Sequence, residues 1–303
     1  MRSGAGEHVT AHRIPEISRP EKVLFPDDGI TKADLAGYYR TVARRMLPHL
    51  RNRPLMLERF PDGIGGHGFM QKDVPASFPD WIHRAELPKE DGTVTYPIAD
   101  DTATLVHLAG QASITPHRFL SRADRPHHPD RMVFDLDPSG DDFAPVREAA
   151  LGLHGLLDEL ELPSLVMTTG SRGLHVVVAL DRRDDFDAVR TFARAVADAL
   201  ATRAPDRLTT EARKKARGDR LYLDVQRNAY AQTAVAPYAV RTRPGAPVAA
   251  PLAWADIDDP ALDARRWTLR DADALVDRED PWHHPPRPRS LARARTLLDA
   301  LTA

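Results

Sequence analysis

Apolar positions along the chain recur with two periods. From residue 32 onward, Leu35, Tyr38, Tyr39, Val42 and Met46 return at near-helical spacing, which predicts an amphipathic helix over 32 to about 47. Thr31 just before it, with Asp34 at the third helical position, makes a capping-box pattern. The same period predicts helices over 143–160 and 187–201, with shorter ones over 101–109 and 290–303. Short apolar runs bounded by Pro, Gly and Asp predict strands over 54–60, 93–98, 132–134, 164–168, 176–180, 221–225 and 233–241. Residues 22–26 read as a brief extended piece and 247–267 as a proline-punctuated surface segment. Strands interleaved with helices imply an α/β (α+β) fold.

The strand at 132–134 continues into Asp135 and Asp137 and is stopped by Pro138-Ser139-Gly140. In a strand, residues two apart point to one face, so the two carboxylates stand side by side, roughly 6–7 Å apart. On an apolar strand they repel and cost desolvation unless a cation lies between them, and a divalent metal is one solution. Taken alone, the pair reads first as acids that cap a turn, and a metal site needs partners elsewhere in the chain. Asp224 lies in a second apolar run, Leu221-Tyr222-Leu223-Asp224-Val225, where an unpaired acid is out of place. Between them, Thr169-Gly170-Ser171-Arg172-Gly173-Leu174-His175 offers hydroxyls, a guanidinium and backbone N–H groups suited to a triphosphate. An earlier glycine-rich loop, 62–68, matches neither the dinucleotide nor the P-loop spacing.

Length and charge narrow the class. The 303 residues suffice for one large domain or two lobes, and the net charge of −2 decides nothing about nucleic acid. Residues 203–220 form a basic stretch, and such runs are more often solvated surface than phosphate contacts. No cysteine is present, so disulfides and thiolate zinc sites are excluded. No apolar run reaches about 18 residues and the first ten are polar, so a cytoplasmic, nucleoid-associated protein without a membrane partner is expected.

The order of these pieces resembles the catalytic motifs of archaeo-eukaryotic primases, and more closely the polymerase domain of bacterial ligase D proteins of double-strand break end joining. The resemblance runs through Lys22-Val-Leu-Phe-Pro, Gly29-Ile-Thr-Lys32, Phe69-Met-Gln-Lys72, Phe119-Leu-Ser-Arg122, Phe134-Asp-Leu-Asp-Pro138, Gly173-Leu-His175 and Val235-Ala-Pro-Tyr238. It implies a two-lobed fold with an RRM-like catalytic sheet. A flexible arm (1–13), an N-terminal lobe (about 14–130), a catalytic lobe (about 131–282) and a tail (283–303) are expected. With neither a ligase nor a nuclease domain in the sequence, a stand-alone member is expected.

The resemblance implies that Asp135, Asp137 and Asp224 carry two Mn²⁺ or Mg²⁺ ions. It places Thr169, Ser171, Arg172, His175, His117, Arg217 and Arg241 around the incoming NTP or dNTP. Phe69 would stack on the templating pair, and Lys22 and Lys32 would hold a 5′-phosphate at a gapped or broken duplex. Extension of a primer 3′-OH, preferably with ribonucleotides, follows, with Ku and a separate DNA ligase as expected partners. The chain also departs from the family at Glu58 (commonly basic), Met70 (the second stacking aromatic), Thr169 (Ser), Arg172 (Lys) and Arg227 (Gln). Replacing Lys by Arg exchanges a point charge for a planar fork. Two other readings compete. A non-catalytic DNA-end binding module would gain nothing from three acids near phosphates. A haloacid-dehalogenase-type phosphatase would need a different continuation after Asp137 than Pro138-Ser139.

Overall fold

A computed structural model of the chain describes residues 15–89 and 91–303, so the arm expected over 1–13 lies outside the described residues. The first part holds β1 (Val23–Phe25), β2 (Ile30–Thr31), α1 (Lys32–Leu50), β3 (Leu55–Arg59), β4 (Phe69–Gln71), β5 (Arg84–Lys89), β6 (Gly92–Pro97), α2 (Thr102–Gly110) and β7 (Ser113–Phe119). The second holds β8 (Arg131–Asp137), α3 (Ala144–Glu159), β9 (Ser164–Thr168), β10 (Leu174–Ala179), α4 (Phe186–Arg203), β11 (Leu208–Thr209), α5 (Lys214–Arg217), β12 (Leu221–Asp224), β13 (Thr233–Val235), β14 (Pro251–Leu252), α6 (Ala272–Asp277) and α7 (Leu291–Thr302).

The capping box before α1 forms: the Thr31 hydroxyl accepts from Asp34 N and the Asp34 carboxylate from Thr31 N. The helix runs three residues past its expected end, through Pro48, because Leu50 is fully buried and anchors the last turn.

Among the described residues, two main sheets form. The smaller has order β13-β7-β3-β4 and the larger β11-β12-β8-β10-β9-β14. The larger is antiparallel except for β11 beside β12. Period-two alternation gives it two different faces. Met132, Phe134 and Leu136 of β8 point into a core with α3, α4 and α7. Val133, with Met167 and Val177 of the neighbouring strands, points into a second core shared with α1, α2 and the smaller sheet. Asp135 and Asp137 therefore lie on the side facing the smaller sheet.

Three segments differ from expectation. The strand expected over 233–241 stops at Val235. After one further ladder bond, from Ala236 N to Pro116 O, Pro237 has no N–H to donate and Tyr238 adopts φ of 66°. The segment 247–267 does not lie at the surface throughout: Val248, Ala249 and Ala250 are fully buried, and β14 pairs with β9 at the sheet edge. Small apolar residues let this backbone pass between the two cores. The last residues do not trail off, because α7 buries Leu291, Ala294 and Leu298 against the catalytic sheet's helices.

Candidate active site

The register of three neighbouring strands assembles the site. Asp135 lies directly opposite Asp224 of β12 on one side and His175 of β10 on the other. Directly paired residues share a face, so Asp224, Asp135 and His175 form one lateral row, with Asp137 one pleat further along. His175 is buried, its Nε2 3.6 Å from Asp135 Oδ1, while Arg227 Nε stands 3.5 Å from Oδ2. Burial pushes the Asp135 carboxyl up, but His175, Arg227 and Arg241 together hold it below its ordinary value. Asp224 receives the Gln226 N–H at 2.7 Å and the Tyr222 hydroxyl at 3.3 Å. Burial and the Asp135 charge nevertheless raise its pKa. One carboxylate of the row is thus compensated and the other is not.

Asp137 faces two guanidinium groups, Arg172 Nη2 at 2.8 Å and Arg217 Nη1 at 3.4 Å. Arg217 lies over the Tyr222 ring at 3.8 Å and is held by the carbonyls of Glu211 and Ala212. The loop carrying Arg172 is closed by Thr169, whose hydroxyl is 3.0 Å from Gly173 O and accepts from the N–H groups of Ser171 and Gly173. Thr169 is therefore buried in the loop's own bonding and Ser171 is more open. Gly173 presses on β8 so closely that a Cβ there would sit 1.9 Å from Leu136 O. Arg241 Nη1 donates to Thr169 O at 2.6 Å, and His117 of β7 faces this region from the smaller sheet. Burial holds the His117 imidazole below its usual pKa.

The remaining residues stand apart from this row. Phe69 is exposed on β4, with Arg59 5.5 Å from its ring, and Met70 beside it is equally open. Lys22 Nζ pairs with Asp62 at 2.7 Å and Lys32 Nζ donates to Ser18 O at 2.9 Å. Burial, followed by the charges of Arg19 and Lys22, lowers the Lys32 pKa. The first N–H groups of α1 are taken by Lys22 O, Pro20 O and Thr31, so phosphate recognition here falls to side chains. A cavity of about 590 Å³ lies behind Asp137, walled in part by Pro138, Ala149, Gly152, Leu200 and Leu221; the carboxylate row does not line it.

Two neighbours of the carboxylate row have no role in the sequence reading. Arg227 becomes an Asp135 partner because the turn at Gln226–Asn228 brings the chain back along β8. Asn228 mimics a strand neighbour, accepting from Val133 N at 2.8 Å and donating to Val133 O at 2.7 Å. An amide and a guanidinium just after a strand acid were the only available signal. As a donor set, three carboxylates on one face suit a hard divalent cation. Among the described residues, however, no three His, Cys, Asp or Glu side chains are gathered as metal ligands. Arginines and His175 occupy Asp135 and Asp137 instead.

Paired strand carboxylates flanked by arginines lie between the two sheets of a mixed helix-and-sheet fold. The family is established by comparison: the sequence model for "LigD, primase-polymerase domain" matches residues 31–282, and the chain belongs to that family of archaeo-eukaryotic primase-like nucleotidyltransferases. The chain is 34% identical to the multifunctional non-homologous end joining DNA repair protein LigD of Mycobacterium tuberculosis, over 99% of this chain and 40% of that protein. It is 30% identical to the bifunctional LigD of Bacillus subtilis, over 88% of this chain and 43% of that one. The chain thus spans well under half the length of these relatives. The polymerase domain of Mycobacterium tuberculosis ligase D in complex with DNA superposes with a TM-score of 0.84 at 33% identity, covering 90% of this chain and 97% of that one. No helix among the described residues is long and apolar enough to cross a membrane.

Proposed function

We propose that this chain extends a primer 3′-OH with nucleoside triphosphates at gapped or broken DNA carrying a 5′-phosphate, with ribonucleotides preferred. The observation that carries the reading is the row Asp224, Asp135 and His175 across three strands, with Asp137 beside it. Divalent Mn²⁺ or Mg²⁺ held by Asp135, Asp137 and Asp224 would supply Lewis-acid activation of the hydroxyl and charge neutralisation at the leaving pyrophosphate.

The chain's own groups account for the rest. Arg172 and Arg217, which now face Asp137, would turn to the triphosphate as it arrives, exchanging one anion for another. Arg241 braces the loop through Thr169 O, and Ser171 offers the loop's more open hydroxyl. His175 holds Asp135 from the neighbouring strand and His117 approaches the nucleotide from the smaller sheet. Phe69 gives a stacking surface for the templating pair, and Lys22 would exchange Asp62 for the 5′-phosphate, assisted by Lys32. Ku and a separate ligase are the partners this reading calls for, in the cytoplasm at the nucleoid. The ribonucleotide preference rests on the family resemblance.

The test is extension of a labelled primer on a 5′-phosphorylated gapped duplex, with Mn²⁺ or Mg²⁺ and with rNTPs or dNTPs. Wild type should extend, and Asp137→Ala should lose at least about 10³-fold in rate while still binding the duplex. The ratio of ribo- to deoxyribonucleotide addition reads the sugar preference. Wild type that binds the duplex and never extends would replace this reading with the end-binding module.

A further inference from the structure

A fixed carboxylate stands on the nucleotide side of the site, where a negatively charged substrate gains nothing from it by Coulomb's law. Glu58 of β3 points to the face that carries His117: it pairs with Thr115, two residues from His117 on the neighbouring strand. Its Oε1 accepts from the Thr242 hydroxyl at 2.8 Å, and its Oε2 stands 3.7 Å from His117 Nε2. Thr242 directly follows Arg241, whose Nη1 closes on Thr169 O. Arg241 Nε is buried with no hydrogen-bond partner, so the bond of Nη1 to Thr169 O and the backbone it shares with Thr242 fix this side chain. Burial lowers the Arg241 pKa, and Glu58 and Asp135 are the carboxylates that oppose this. Burial pushes the Glu58 carboxyl up, but His117, Thr242 and Arg241 outweigh it and bring it to about 2, so it is ionised throughout the working range.

We propose that Glu58 is a positioning residue for nucleotide binding: it ties the smaller sheet to the triphosphate loop and fixes Arg241 and His117 before substrate arrives. The inference rests on the polymerase reading above and assigns the site a residue where the family commonly carries a basic one. Pre-organisation of this kind lowers the ordering cost of binding. Two explanations of Glu58 then make opposite forecasts. If it only repels the triphosphate, neutralising it tightens binding. If it positions Arg241 and His117, neutralising it weakens binding.

The experiment measures KM and kcat for the nucleotide in primer extension by wild type, Glu58→Gln, Glu58→Asp and Thr242→Val. Glu58→Gln should raise KM about tenfold, the effect of losing a charged hydrogen-bond anchor, with kcat within about twofold and affinity for the gapped duplex unchanged. Glu58→Asp should recover part of the loss. Thr242→Val should raise KM in the same direction, and the double variant should lose less than the product of the singles. A KM that is unchanged or lower in Glu58→Gln overturns the proposal. Should Glu58→Gln fail to fold in a thermal melt, Thr242→Val decides by the same criterion. Should wild type not extend, the polymerase reading fails, and calorimetric binding of NTP with Mn²⁺ still reads Glu58. Weaker binding in Glu58→Gln supports the role, and equal or tighter binding refutes it.

Discussion

Strand β8 has an arginine–carboxylate cluster at each end, and the two are built differently. At its start, Asp130 receives Arg53 through two bonds of 2.7 and 2.6 Å and Arg122 at 3.0 Å, with Arg53 1% exposed. At its end, Asp135 and Asp137 meet arginines at 2.8, 3.4 and 3.5 Å and His175 at 3.6 Å, and Arg172 is 46% exposed. The first cluster is bidentate and sealed, and nothing can replace either partner without leaving a buried charge. The second is looser and open on one side, so its arginines can trade a carboxylate for a phosphate. The same pairing of arginine and carboxylate is sealed at one end of the strand and accessible at the other, where the proposed function places the chemistry.

The contrast breaks first at the open end. Asp135→Asn is expected to reduce primer extension at least about 10³-fold, with a thermal midpoint close to wild type. Loss of fold along with activity would place Asp135 with the structural cluster. At the other end, Asp130→Ala strands Arg53 in the core and should cost about 3–5 kcal/mol in denaturant unfolding. The fraction that remains folded should still extend primers. A stability change below about 1 kcal/mol would show that the Arg53 fork is as replaceable as Arg172.

The two ends also differ in how they respond to pH. Arg53 and Arg131 outweigh burial and hold Asp130 well below its ordinary pKa. Its stabilisation is therefore complete above an unfolded value of about 3.9 and is lost as pH falls towards the lower folded value. Asp224 is shifted upward, by burial first and the Asp135 charge also, so its ionised form opposes folding at neutral pH and the opposition fades on acidification. Asp224→Asn should raise the melting temperature at neutral pH without divalent metal by roughly 1–2 °C, a small effect because the group is partly solvated. It should abolish extension all the same. A lower melting temperature would mean that Asp224 is as well compensated as Asp130.

Much of this was legible in the chain because local rules and tertiary context agreed. The apolar period of α1, its Thr31–Asp34 cap and the acids of β8 each carry their own signal. Asp224 stood out as an acid in an aliphatic strand, and the register sets it opposite Asp135. What was illegible depended on long-range packing. Ala246, Val248, Ala249 and Ala250 are buried because two cores meet around them, while proline-rich spacing alone suggests surface. The end of β13 depends on Tyr238 taking a positive φ, which its identity does not announce. Glu58 looked like a misplaced charge until Thr242 and His117, far away in sequence, were seen beside it.

The decisive measurement is the melting temperature of wild type and Asp137→Asn, each with and without saturating Mn²⁺ and NTP. An exchangeable end of β8 binds these ligands in the folded state alone, so wild type should gain about 3–5 °C and Asp137→Asn close to nothing. Equal gains in both proteins, or none in either, would contradict a ligand-exchanging role for the end of β8.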